Sequence, residues 1–149
     1  MKKIIIILCA IIIVLVAFIG VNTFTSTSNA NSIMVGNTSF IVPEGYISIN
    51  NNGSTNITNG NNSIGLVCYA DNDVNKHVKD YEDSKKLANE SVSVSEFEVK
   101  NIKVYKSDLG DSKTFHYWFL NNGEVYELHT WDGDSNTDQV IHKLVESIT

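Results

Sequence analysis

The chain has 149 residues, with 17 acidic side chains against 11 basic ones and a net charge of −6. Every basic residue is lysine, so the arginine fork that grips phosphate and guanine is missing, and the acidic balance repels a phosphate backbone; both count against nucleic acid as a partner. The length suits one domain with one hydrophobic core beyond a short leader.

The leader comes first. Lys2 and Lys3 precede an unbroken apolar run over residues 4–21. This is close to the roughly 20 residues that cross a bilayer. Ser28-Asn29-Ala30 offers a small-residue cleavage site, so the run reads as an uncleaved anchor or as a cleaved signal. Either way the basic start places the rest of the chain outside the cytoplasm. Cys9 lies inside the apolar run and reads as a membrane-buried thiol, not a lipid-attachment site. A type IV pilin also opens with a basic stub and an apolar helix, but this run lacks an acidic residue near its start. The chain therefore divides into an anchor or signal at residues 1–21, a polar linker at 22–32 and an exported domain at 33–149.

Along the domain, residues 38–42 read as a strand and Pro43-Glu44-Gly45 as a turn. Asn52-Gly53 and Asn59-Gly60 are hairpin dipeptides, which predict a meander through 46–50, 54–58 and 62–69. Its middle strand is polar enough to be a loop instead. Cys68 is the only cysteine beyond the leader, so it forms no disulfide within the domain and reads as a buried, inert thiol in an apolar strand. Residues 73–89 carry Val74, Val78, Tyr81 and Ala88 at helical spacing, with Asp71 or Asp73 as N-cap. Residues 92–99 alternate and then slip phase between Val94 and Phe97, which predicts a bulge or break. Residues 101–106 form another strand. Two apolar-aromatic strands then flank Asn122-Gly123 within 113–132, and 137–147 is a closing helix with Val140, Ile141, Leu144, Val145 and Ile148 on one stripe. Ser135 and Asp138 have capping-box spacing. The fold class is α+β: a largely antiparallel sheet packed with two main helices, behind an N-terminal transmembrane or signal helix.

Phe40-Ile41-Val42-Pro43-Glu44-Gly45-Tyr46, the hairpin Tyr117-Trp118-Phe119 with Val125-Tyr126-Glu127-Leu128, and the helix closing on Val145-Glu146-Ser147-Ile148 together resemble PsbP-like domains of prokaryotes. The resemblance runs over about residues 36–149. It implies an α/β sandwich of accessory or assembly type, and it transfers no catalytic residue.

A two-residue loop at Asn122-Gly123 sets a register. Tyr117 then faces Leu128, Phe119 faces Tyr126 and Phe115 faces Thr130 on an apolar core face. On the other face His116 lies across from His129 and Trp118 from Glu127, with Trp131 further along. His116, Trp118, Glu127, His129 and Trp131 are the candidate ligand-binding residues. His116, His129 and Glu127 are a sparse candidate set for Zn²⁺ or Cu²⁺, with water completing the shell. A structural role, with the rings covered by a helix, accounts for the same residues. Asp132-Gly133-Asp134-Ser135-Asn136-Thr137-Asp138 resembles a calcium loop, but Thr137 stands where glycine is needed and Lys143 where glutamate closes the shell, so it reads as a turn and helix cap. Asn37, Asn52, Asn56, Asn61 and Asn89 match the N-glycosylation pattern.

No nucleophile elbow and no glycine-rich phosphate loop is present, and no cofactor is called for. The expected function is a non-catalytic, membrane-anchored or secreted surface domain that binds a partner protein or ligand. Two alternatives stand beside it: an accessory factor of an envelope complex, and a small metal-binding protein or metal-dependent enzyme built on His116 and His129.

Overall fold

A computed structural model describes residues 31–51, 53–110, 113–131, 133 and 135–149. The leader, Lys2, Lys3, Cys9 and the expected cleavage site lie outside the described residues, as do Asn52, Asp132 and Asp134. Among the described residues no helix is long and apolar enough to cross a membrane.

In chain order the elements are β1 (Ser32–Val35), β2 (Thr38–Ile41), β3 (Ile47–Asn51), β4 (Ser54–Thr58), β5 (Ser63–Tyr69), α1 (Val74–Leu87), β6 (Ser93–Val99), β7 (Ile102–Asp108), β8 (Phe115–Asn121), β9 (Glu124–Thr130) and α2 (Ser135–Glu146). β1 and β2 form a separate hairpin, and the other strands form one sheet in the order β3-β4-β5-β9-β8-β7-β6. Every pairing is antiparallel.

Turn chemistry explains the register. Asn122 and Gly123 both take positive φ, 49° and 79°, the demand of a type I′ turn whose twist matches its strands. The β8–β9 ladder therefore runs Phe115↔Thr130 through Asn121↔Glu124 without a slip, as the sequence predicts. Lys100 and Asn101, at φ 47° and 67°, make the same kind of two-residue turn between β6 and β7 without any glycine. Residue 101 is thus in the turn and not in the strand. Asn59-Gly60 differs from expectation too. The β4–β5 ladder ends at Thr58↔Ser63, leaving a four-residue loop in which Asn59 Oδ1 accepts from the backbone N–H groups of Asn61 (3.0 Å) and Asn62 (2.8 Å). The polar middle segment β4 is a strand, and it sends the buried side chains of Thr55 and Ile57 into the molecule.

The expected bulge near Val94 is absent: β6 pairs with β7 continuously from Ser93↔Asp108 to Val99↔Ile102. The phase slip has another cause. Both faces of the sheet are covered here, so Phe97 and Val99 pack into the main core while Val94, opposite Ser107, faces the α1 side.

The sheet is the middle of three layers. On one face Ile57, Ile64, Leu66, Val104, Tyr117, Phe119, Tyr126 and Leu128 meet Phe40 and Val42 from the β1–β2 segment and Val140, Ile141, Leu144 and Val145 from α2. Each such side chain, fully buried, contributes about 1.5–3 kcal/mol of hydrophobic stabilisation. On the other face α1 lays Val78 and Tyr81 over β8. Asp73 caps α1, its carboxylate accepting from the Lys76 N–H at 3.0 Å. The helix ends in a Schellman pair: Asn89 N–H donates to Lys86 O (3.0 Å) and Glu90 N–H to Lys85 O (2.9 Å), with Asn89 at φ 57°. Asp138, the acidic member of the expected capping box, also has tertiary partners. Its carboxylate accepts from Lys106 Nζ (2.8 and 2.9 Å) and from the Tyr117 hydroxyl, tying α2 to β7 and β8.

Candidate functional site

The α1-side face of β5, β9 and β8 carries the candidate residues. His116↔His129 and Trp118↔Glu127 are direct cross-strand pairs, as the hairpin register requires. Glu127 is the hub. Its Oε1 lies 2.6 Å from His116 Nδ1 and its Oε2 accepts from the Tyr69 hydroxyl at 2.7 Å. A carboxylate only accepts, so the proton sits on His116 Nδ1. Burial pushes the Glu127 carboxyl up, but the hydrogen bonds from His116 and Tyr69 outweigh it, and the group titrates below its ordinary range. Burial and the Glu127 carboxylate in turn push the Tyr69 phenol up.

Tyr81 of α1 roofs this hub, its ring 4.4 Å from His116 and 5.0 Å from Trp118 between centroids. Trp118 is only 2% exposed, so it packs beneath the helix and offers no open surface to a ligand. His129 lies beyond the roof. Its Nδ1 is 3.9 Å from Glu127 Oε1, too far for a hydrogen bond, and this buried nitrogen has no partner among the described residues. Burial and the neighbouring His116 lower its proton affinity, against the pull of Glu127. Trp131 stands edge-on to His129 at 4.6 Å and is 63% exposed.

Four members of this cluster escape the sequence pattern. Tyr69 and Tyr81 read there as strand and helix core. His77 stacks on Tyr69 at 4.3 Å and contacts Asp71 at 2.9 Å. Gly65 is paired with His129, and a Cβ at Gly65 would lie 2.3 Å from His129 Nε2; the glycine lets the imidazole lie flat on the sheet. A glycine inside a strand is the one signal that points there.

The arrangement holds a carboxylate ionised and orients an imidazole. It does not offer a metal three free donors, since both Glu127 oxygens are engaged. Among the described residues no group of three His, Cys, Asp or Glu side chains is placed to hold a metal ion. Cys68 is half-buried, and burial raises its thiol pKa. Of the sequon asparagines, Asn37, Asn61 and Asn89 are exposed, whereas half-buried Asn56 accepts from Ser63 Oγ at 3.1 Å.

From this hub toward the β3 edge, the α1-side face is bare. Ile49↔Asn56, Asn56↔Gly65 and Gly65↔His129 form one cross-strand row, and Ile47↔Thr58 belongs to the next. Ile47 and Ile49 are 58% and 43% exposed. Trp131 lies on the same face beyond β9, separated from the two isoleucines by the polar side chains of Asn56, Thr58 and Ser63 on β4 and β5.

No family model matches the chain, and no curated protein matches it. Solved structures do. A protein from Bacteroides thetaiotaomicron aligns at a TM-score of 0.53 and 8% identity over 75% of this chain; the chain spans only 44% of that neighbour. A cyanobacterial PsbP from Synechocystis aligns at a TM-score of 0.46 and 9% identity, over 75% of this chain and 85% of its own. At such identities the likeness is one of fold and carries no site residue or activity.

Proposed function

We propose that this protein is a non-catalytic exported domain, held at or released from the membrane by its leader, that binds a partner protein through the bare strip of Ile47, Ile49 and Trp131. The observation that carries the reading is Trp131, 63% exposed on the same sheet face as two exposed isoleucines, Ile47 and Ile49. Exposed large aromatic residues are typical anchors of protein interfaces. The acidic chain favours a partner segment that combines apolar and basic side chains. The Glu127 hub fits the same reading, because a carboxylate saturated by His116 and Tyr69 under a helix is committed to holding the sheet together. Affinity capture from detergent-solubilised membranes tests it. The full chain should retain a stoichiometric protein that Trp131→Ala and Ile49→Ser lose; equal capture by wild type and both variants refutes the strip as the interface.

A further inference from the structure

We infer that a second site, on the opposite side of the sheet, takes a small zwitterion with an apolar body, of which an aliphatic α-amino acid is the simplest example. The site is a cleft of about 450 Å³ between the β2–β3 connection and α2. That volume lies in the range of small-ligand pockets. Ile41, Pro43 and Val140 give it an apolar wall, and Glu44 and Lys143 bring one charge of each sign to its lining.

The two charges set the ligand's chemistry. Five lysines pair with carboxylates, Lys76 with Asp80, Lys85 with Glu90, Lys86 with Asp83, Lys103 with Glu96 and Lys106 with Asp138, whereas Lys79 and Lys143 make no such pair among the described residues. Glu44 and Lys143 line one cleft, yet neither bonds the other or any other side chain among the described residues. Both sit on fixed backbone. Gly45 at φ 82° and the Tyr46 N–H bond to Pro43 O (3.1 Å) hold Glu44 in a tight turn, and Lys143 lies in the last turn of α2. Tyr46, another lining residue, packs against the main core, and its buried hydroxyl has no hydrogen-bond partner among the described residues. A ligand ammonium meets Glu44, its carboxylate meets Lys143, and its side chain covers Ile41 and Val140. A zwitterion adds no net charge to an already acidic protein, whereas a phosphate would find a single lysine and a facing carboxylate.

Calorimetric titration of the detergent-solubilised full chain with L-leucine tests this, with leucinamide and N-acetyl-leucine as probes lacking one charge each. Leucine should saturate one site, and each blocked probe should bind about tenfold more weakly or worse, the worth of a charge-assisted hydrogen bond. Glu44→Gln and Lys143→Gln should each weaken leucine by a similar factor, while Trp131→Ala should leave it unchanged, which separates this site from the protein-binding strip. On the unmodified chain, leucine should shift the NMR methyl signals of Ile41 and Val140. Absence of saturable leucine binding at millimolar concentration, or unaltered binding in both charge variants, overturns the inference.

Discussion

At the scale of single residues, the close approach of His129 to Gly65 is a sharp constraint. A methyl group at Gly65 would meet the imidazole at 2.3 Å, so Gly65→Ala must displace the ring. The expected cost is about 1–3 kcal/mol in urea unfolding. The Gly65→Ala/His129→Ala double variant should recover most of it, and strictly additive losses would show that the ring is not what the methyl meets. The same histidine sets a pH dependence. Its folded-state pKa is below the ordinary 6.5, so the unfolded chain binds the proton more readily, and the stabilisation is complete above about pH 6.5 and lost as pH falls. Glu127, also lowered, adds its own loss further down, below its ordinary 4.5. His129→Gln should therefore flatten the stability curve just below pH 6.5 without altering the loss at lower pH; an unchanged slope in both regions contradicts this role for the imidazole. Zinc titration of the folded chain should give no one-to-one isotherm at neutral pH, because Glu127 is committed to His116 and Tyr69. A micromolar isotherm abolished by His129→Gln would restore the metal reading.

At the scale of elements, legibility in the sequence tracks turn chemistry. Asn122-Gly123 announces its hairpin, and from that one dipeptide the facing of His116 with His129 and Trp118 with Glu127 can be counted off. Lys100-Asn101 makes an equivalent turn with residues that signal nothing, since lysine at positive φ is a cost the β6–β7 ladder must offset. The phase slip in β6 mimics a bulge because alternation assumes one wet face; with α1 on one side and the main core on the other, both parities can be apolar. The candidate site is half legible for a related reason. Cross-strand partners within one hairpin follow from counting, but Tyr69 comes from β5 and Tyr81 from α1, and their meeting depends on long-range packing that no local pattern encodes. The end of α1 offers a test at this scale. Asn89 closes a Schellman motif at φ 57°, so Asn89→Ala should cost about 1 kcal/mol while Asn89→Gly is near neutral. Equal effects of the two substitutions would mean that the left-handed geometry does not limit stability.

At the scale of the whole molecule, the three layers separate two kinds of surface. The hairpin and α2 cover one face of the sheet and leave a charged cleft at their seam, whereas α1 covers only part of the other face and leaves the Ile47, Ile49 and Trp131 strip bare. A bare strip of this kind is a liability for a freely diffusing acidic domain and an asset for one confined near its partner. Confinement is what the leader would provide. An apolar run over residues 4–21 behind two lysines, followed by a polar linker, predicts that the full chain sediments with membranes and resists extraction by high salt and alkaline carbonate. Intact-mass measurement of the membrane-bound chain should retain residues 1–30. Detergent alone should release it, because apolar burial of a spanning length is indifferent to ionic strength, whereas attachment through the acidic domain would weaken with salt. Recovery of a soluble product that begins at Asn31 would defeat the anchor and leave export standing, and the strip would then have to find its partner by diffusion, without a shared membrane.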